Sequence, residues 1–186
     1  MTGLVIHRAH LPYAGQLDPR DAARVDLVVI HCTELPDLAA AREFGMRIRY
    51  PESGTGHSGH YYLDRDGRVE QWVPPGRIAH HVRGFNQRSL GIELVNRGRY
   101  PNWLNSNSQI MTEPYAEEQI SSLIRLLNFL CTANRGLRWI TGHEQLDLEK
   151  VPATDDPGLR VCRKRDPGPL FPWKEMLRSI PLKAFR

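Results

Sequence analysis

Much of what would direct this chain to a membrane, an oxidising compartment or a nucleic acid is missing from it. No stretch approaches the roughly 18 consecutive apolar residues needed to cross a bilayer, so no membrane span is expected. The start, Met1-Thr2-Gly3-Leu4-Val5-Ile6-His7-Arg8, has no basic region followed by an apolar block, so no secretory signal is recognisable. The three cysteines, Cys32, Cys131 and Cys162, are odd in number and lack CxxC spacing, which argues against a disulfide framework and against a thiolate zinc site. Net charge is only +4, with no dense Lys/Arg run interleaved with aromatics, so no nucleic-acid partner is expected. Repeats and low-complexity tracts are absent as well. These absences favour a cytoplasmic address. A periplasmic location, or export by a signal-free route, would leave the same sequence, and oligomeric state leaves no trace in it.

What is present is enough for one folded domain. The chain has 186 residues, 40% of them hydrophobic and 25% charged, which suits a buried core. Residues 1–24, with Pro12, Gly15 and Pro19, read as an irregular N-terminal extension wrapping the surface; residues 25–180 read as the domain and 181–186 as a tail. Val25–Ile30 reads as a buried strand, being short, β-branched and nearly all apolar, with His31 at its end. Asp37 can cap a short Ala-rich helix, Leu38 to about Met46. Asp66-Gly67 between His60–Leu63 and Arg68–Val73 is a hairpin signal. Ser89–Val95 reads as another strand. From Pro114 to about Asn134 the spacing of Ile120, Leu123, Ile124, Leu127, Leu130 and Cys131 predicts a long helix with one buried face. Arg138–Thr141 is a short strand leading into Gly142-His143. Residues 144–172, with five prolines, read as loop, and a last helix runs from Trp173 to about Ile180. Strands mixed with helices indicate an α/β class with a central mixed sheet.

The candidate chemistry lies among eight histidines and a few carboxylates. His31 and His143 each follow an apolar strand-like run, at strand C-terminal ends where ligands often gather. A catalytic zinc site needs three N or O ligands and an open position. Neither histidine has a second ligand within helical reach, so spacing alone does not establish a site. His57 and His60, three apart in a strand context, point to opposite faces, and adjacent His80 and His81 diverge. Structural or substrate-lining roles suit these four better. Glu93 interrupts an apolar strand, so its carboxylate either faces solvent or is held in a cleft. Asp166 sits in Arg163-Lys164-Arg165-Asp166-Pro167-Gly168-Pro169, where prolines and glycine fix the backbone; the plain alternative is a solvated charged loop. In an extended segment Lys164 shares a face with Asp166, while Arg163 and Arg165 face the other way.

Taken jointly, Val28-Val29-Ile30-His31, Ser58-Gly59-His60-Tyr61-Tyr62-Leu63 with Arg65-Asp66-Gly67, Ser89–Leu94, Ile140-Thr141-Gly142-His143 and Arg163-Lys164 followed by Asp166-Pro167-Gly168-Pro169 carry a resemblance. In order and spacing the chain resembles the type 2 N-acetylmuramoyl-L-alanine amidase family, which includes AmpD-type cell-wall recycling enzymes and is related to peptidoglycan recognition proteins. The resemblance runs from about Val25 to Trp173. It implies an α/β domain with a central mixed β-sheet flanked by helices. It also implies Zn2+ held by His31, His143 and Asp166, with Glu93 as proton shuttle and Lys164 as oxyanion stabiliser. The implied activity is hydrolysis of the lactyl amide between N-acetylmuramic acid, in regular or 1,6-anhydro form, and the L-alanine of a stem peptide. The implied partners are peptidoglycan fragments or cell wall. A non-catalytic peptidoglycan-binding module is the alternative, though such relatives typically lack part of the zinc set. Two features depart from the family: His80-His81-Val82-Arg83-Gly84 stands where Trp-His-Ala-Gly is common, and Leu146–Cys162 is longer than in short relatives. A cysteine nucleophile is not expected, because Cys32 should point to the strand face opposite His31.

Overall fold

The computed structural model describes residues 3–185; Met1, Thr2 and Arg186, the outermost residues of the expected extension and tail, lie outside the described residues. The apolar run Leu27–Cys32 forms β2, buried at every position as befits a strand with parallel neighbours on both sides. Those neighbours are β5 (Ser89–Leu94) and β6 (Trp139–Gly142). Beyond β5 lie β3 (Tyr61–Leu63), β4 (Val69–Gln71) and β1 (Ile6–Arg8), and beyond β6 lies β9 (Lys183–Ala184). Among the described residues this makes one seven-stranded sheet, β1-β4-β3-β5-β2-β6-β9. It is mixed because β3 and β4 pair antiparallel. Their turn is the one expected at Asp66-Gly67. Gly67 has φ +84, and a Cβ there would meet Ser122 Oγ at 2.7 Å and the Glu118 carbonyl oxygen at 2.8 Å.

Strict alternation along the central strands separates core from site. Val28 and Ile30 of β2, Leu90, Ile92 and Leu94 of β5, and Tyr61 and Leu63 of β3 join one core cluster. The helix α2 (Glu117–Ala133) closes that cluster with Ile120, Leu123, Leu126, Leu127 and Leu130, and α4 (Trp173–Ser179) adds Met176. The expected apolar stripe is present but turned toward Leu126; Ile124 and Cys131 sit at its margin, partly buried. Gln119 on α2 donates from Nε2 to the carbonyls of Leu63 and Val95, tying the ends of β3 and β5 to the helix. The opposite sheet face receives Val29, His31, Gly91, Glu93 and Tyr62 by the same alternation.

Several boundaries differ from the expectation, each for a physical reason. The β2 strand continues through Cys32, so His31 lies inside the ladder rather than after it. The helix α1 is Leu38–Gly45, and the Asp37 side chain accepts from Ala40 N at 2.8 Å as its cap. α2 starts at Glu117 instead of Pro114, because the Tyr115 hydroxyl reaches across to donate to the Pro167 carbonyl at 2.7 Å. The segment 144–172 is not all loop. It opens with one helical turn, α3 (His143–Leu146), and contains an antiparallel hairpin of β7 (Lys150–Pro152) and β8 (Arg160–Cys162).

Residues before Val25 do more than wrap the surface. β1 pairs parallel with β4, and Leu11, Tyr13, Ala14 and Leu17 form a second core cluster with Ala41, Tyr62 and Trp72. The Trp72 ring stacks on Tyr62 with centroids 3.4 Å apart. Tyr62 is also on the site face, so this early segment braces a wall of the site. Leu17 is 1% exposed. Leu17→Ala should lower the unfolding free energy by about 2–5 kcal/mol, the usual loss for a fully buried leucine. Urea denaturation measures it, and a loss below about 0.5 kcal/mol would show that the N-terminal segment is not part of the cooperative core.

Candidate metal centre

The strand ladder sets the first two site residues side by side. His31 of β2 is the register partner of Glu93 on β5, and Glu93 is the partner of Tyr62 on β3. Register partners in adjacent parallel strands present side chains on one face, so the three form a row. Ile30 pairs with Gly142 at the end of β6. The next residue, His143, opens α3 and therefore starts beside His31. Asp166 arrives from the irregular segment after β8, with its carbonyl accepting from Glu144 N at 2.9 Å.

These elements bring three ligand-type atoms together. His31 Nδ1 lies 2.9 Å from Asp166 Oδ2 and 3.0 Å from His143 Nδ1, and His143 Nδ1 lies 3.0 Å from the same Oδ2. All three residues are at most 3% exposed. Tetrahedral zinc with bonds of about 2.0–2.1 Å needs ligand atoms ~3.3 Å apart, so the cluster fits after an opening of a few tenths of an ångström. Asp166 Oδ1, also buried, has no hydrogen-bond partner among the described residues. An orphaned carboxylate oxygen is costly unless a cation faces it. Two imidazoles and one carboxylate form an N/O donor set that suits zinc, so the residues present fit the metal.

The electrostatics of the chain alone are set by burial. Burial and the neighbouring His143 lower the His31 pKa to about 4, favouring the neutral imidazole that a metal requires. Burial by itself would raise the Asp166 carboxyl, but the imidazoles of His143 and His31 and the Lys164 ammonium outweigh it and hold the group well below its ordinary value. Glu93 goes the other way. Burial, reinforced by the Asp166 charge, pushes its carboxyl well above the usual range, with Lys164 opposing.

Glu93 Oε1 is 3.9 Å from His31 Nδ1, and its side chain is 14% exposed to a cavity of about 650 Å³. The position needs Gly59, where a Cβ would come within 2.9 Å of Glu93 Cγ and 3.1 Å of the Gly91 carbonyl oxygen. Lys164 lines the same cavity, as do Tyr62, His57 and His80. Arg163 departs from the expectation that it faces away. It also lines the cavity, with its guanidinium paired to Asp147 and Glu149 from the hairpin side.

The model of the N-acetylmuramoyl-L-alanine amidase family matches residues 21–169. The chain belongs to that family. A curated relative, the N-acetylmuramoyl-L-alanine amidase AmiD of Escherichia coli strain K12, is 34% identical over 120 residues, which is 60% of this chain and 38% of AmiD. The amidase-family chain thus spans well under half the length of that relative. Among solved structures, the endolysin amidase LysCS from Clostridium intestinale URNW aligns with a TM-score of 0.66 at 20% identity, covering 98% of this chain and 99% of its own. The E. coli AmiD structure in complex with its substrate, anhydro-N-acetylmuramic acid-L-Ala-D-γ-Glu-L-Lys, aligns with a TM-score of 0.63 at 23% identity, covering 84% of this chain and 57% of its own. The mixed sheet flanked by helices is therefore the amidase and peptidoglycan-recognition-protein fold, as the sequence implied.

In this amidase-family chain the five residues singled out by sequence, His31, Glu93, His143, Lys164 and Asp166, line one cavity. His60 stays outside the cluster: it is fully buried, with Nδ1 accepting from Gly91 N at 3.0 Å. Cys32 is a free thiol, and burial pushes its pKa well up, which suits an inert core residue. Two interactions escape the sequence, which gives His81 only a structural or substrate-lining role. His81 contacts the His31 ring, and Glu34 and Arg99 form a buried ion pair beside the cavity. Neither has a local signature, since both arise from contacts over 50 or more positions. No helix among the described residues is long and apolar enough to cross a membrane.

The raised carboxyl of Glu93 yields a stability test. The folded state holds this proton more tightly than the unfolded chain does. Stability from it is present below the usual carboxylate value and is lost as pH rises through the folded value. In chelator, Glu93→Gln should therefore melt above the parent chain at about pH 7 and converge with it near about pH 4. Each kcal/mol recovered is worth about 2–4 °C at this size. Calorimetry across that range checks it; a variant that melts no higher than the parent at neutral pH contradicts the electrostatic strain.

Proposed function

We propose that this chain is a zinc-dependent N-acetylmuramoyl-L-alanine amidase. It cleaves the amide between the lactyl group of N-acetylmuramic acid and the L-alanine of the stem peptide. The observation that carries this reading is the convergence of His31, His143 and Asp166 within hydrogen-bonding distance of one another, with Glu93 beside them at the floor of an open cavity. The substrate held by E. coli AmiD, an anhydromuramyl peptide, supports muropeptides as the substrate class. His31, His143 and Asp166 would hold the ion. A zinc ion there supplies a Lewis acid that brings the pKa of water from about 15.7 to near 7.

The remaining chemistry falls to side chains of the chain. Glu93, placed beside the ligand cluster with Oε1 3.9 Å from His31 Nδ1, accepts a proton from the attacking water as a carboxylate and delivers it to the departing alanine nitrogen. Lys164 places an ammonium on the cavity wall, where it offsets the charge that develops on the carbonyl oxygen. A purely binding module has no use for a carboxyl and an ammonium lining the cavity beside a buried ligand cluster, which favours turnover over recognition alone.

Mass spectrometry of purified muropeptides, regular and anhydro, tests the reaction. Release of the free stem peptide is expected, abolished by chelator and restored by zinc. His31→Ala should lose stoichiometric zinc in elemental analysis together with activity. A His31→Ala protein that keeps one zinc per chain would sink the ligand assignment.

The basic run separates a specific role from a general one. Lys164→Ala should lower kcat and kcat/KM together by on the order of 10²-fold or more with little change in KM, because its charge acts on the transition state. Arg165→Ala should cost little. Similar modest losses in both, mainly in KM, would make the run a docking surface and remove the oxyanion role.

A further inference from the structure

The imidazole of His81 is fixed in a chain of hydrogen bonds that reaches from the metal cluster to a backbone carbonyl. His31 Nδ1 faces Asp166 and His143, while its other nitrogen, Nε2, lies 3.0 Å from His81 Nδ1. His81 Nε2 lies 3.2 Å from Ser89 Oγ, and Ser89 Oγ donates to the Phe85 carbonyl at 2.8 Å. The two rings are edge-on, with centroids 5.1 Å apart and planes at 85°, so an N–H of one can point at a ring nitrogen of the other.

One end of this chain has a fixed polarity, and that polarity propagates. A carbonyl oxygen only accepts, so the single Ser89 hydroxyl proton goes to Phe85. Ser89 Oγ then has only lone pairs for His81, which must carry its proton on Nε2. His81 Nδ1 is therefore an acceptor, and His31 must donate to it from Nε2. The lone pair of His31 is left on Nδ1, aimed into the ligand cluster.

Other residues of the fold are shaped around this ring. A Cβ at Gly91 would come within 2.6 Å of His81 Cγ and Nδ1, so only glycine seats it. The backbone N–H groups of His81 and Val82 both donate to Asn86 Oδ1, at 3.1 and 2.8 Å, which locks the turn carrying it. His80, adjacent in sequence, faces the outer cavity and packs on Tyr50 instead.

We propose that His81 is a positioning residue: through the one-way chain Phe85–Ser89–His81 it holds His31 with Nε2 protonated and Nδ1 free to bind the metal. This rests on the zinc reading above for its consequence, but the hydrogen-bond direction stands apart from it. Outer partners of metal-bound histidines typically contribute about 10–100-fold in metal affinity.

The test has two readouts on the full-length chain. Zinc affinity is measured by chelator competition for the parent, His81→Ala, His81→Asn and Ser89→Ala. His81→Ala should bind Zn2+ about 10–100-fold more weakly. His81→Asn, whose side-chain oxygen can accept near the Nδ1 position, should recover most of that loss. Adding Ser89→Ala to His81→Ala should weaken binding no further, since the serine acts only through the ring. Nitrogen-15 NMR of the imidazoles should show His81 protonated on Nε2 alone, with a His31 Nε2 proton coupled to His81 Nδ1. A His81 ring protonated on Nδ1, or equal zinc affinity in the parent and His81→Ala, overturns the relay. If His81→Ala fails to fold, the asparagine and serine variants carry the same comparison. A parent chain that binds no zinc yet shows the expected ring protonation would sink the zinc reading and leave the relay standing.

Discussion

His31 and Glu93 are partners in the parallel ladder between β2 and β5, and the rest of the site is built outward from that pairing. A slip of one residue would turn either side chain to the α2 face, into the main apolar core. The core itself forbids this, because Val28, Ile30, Leu90, Ile92 and Leu94 would leave it together. Hydrophobic burial thus enforces the register, and the register enforces the chemistry. The same ladder places Gly142 opposite Ile30 and so starts His143 beside His31. It also explains two glycines. Gly91 and Gly59 lie where His81 and the Glu93 side chain need the room that a Cβ would take.

The parts of this fold legible in the sequence are those whose signal is local. β2 and β5 announce themselves as buried runs, α2 as a repeating apolar stripe, and the β3–β4 turn as Asp-Gly. β1 and β9 are short edge strands, and β9 is exposed at both residues; each is defined by its partner more than by its own pattern. The β7–β8 hairpin hides behind prolines, one of them inside β7 at Pro152, which is tolerated because the two-stranded sheet is all edge. In the site, strand-end position marked His31 and His143, and a rigid proline-rich loop marked Asp166. His81 could not be told from His80 by composition. Only the tertiary contact decides that one ring meets His31 and the other meets Tyr50.

Five titratable groups are packed into one cavity floor, and their preferences diverge in a useful way. His31 is pushed toward neutrality, Asp166 toward the carboxylate, and Glu93 toward the protonated acid. The two carboxyls differ by environment. Asp166 lies within 3.0 Å of an imidazole nitrogen on either side, while Glu93 has no such contact and Asp166 is its like-charged neighbour. A ligand-type carboxylate and a proton-carrying carboxyl are the roles such a split suits. Burial that separates them also raises the thiol of Cys32, so the same environment that prepares Glu93 silences the nearby sulfur.

Asp166 and Lys164 come from a segment without regular structure, so their precision has to come from elsewhere. Arg99 supplies much of it. Its guanidinium is 1% exposed, donates to both oxygens of Glu34, and also donates to the carbonyls of Cys162 and Arg163 just ahead of Lys164. Tyr115 holds the Pro167 carbonyl from the other side, and Glu149 accepts from Arg163 N. The arrangement carries strain: Glu34 has φ +49, a conformation that costs a non-glycine residue about 1–2 kcal/mol. Gly98 makes room for it, since a Cβ there would meet Glu34 Cγ at 2.7 Å. Removing one partner of a buried ion pair typically costs about 3–5 kcal/mol, enough to maintain the strained turn. An ion pair of this kind adds little net stability compared with apolar packing. What it adds here is direction, because five donors fixed in one plane hold two carbonyls and a carboxylate at once. Damage at position 34 or 99 would therefore reach the centre through the backbone at 162–166, without touching a ligand.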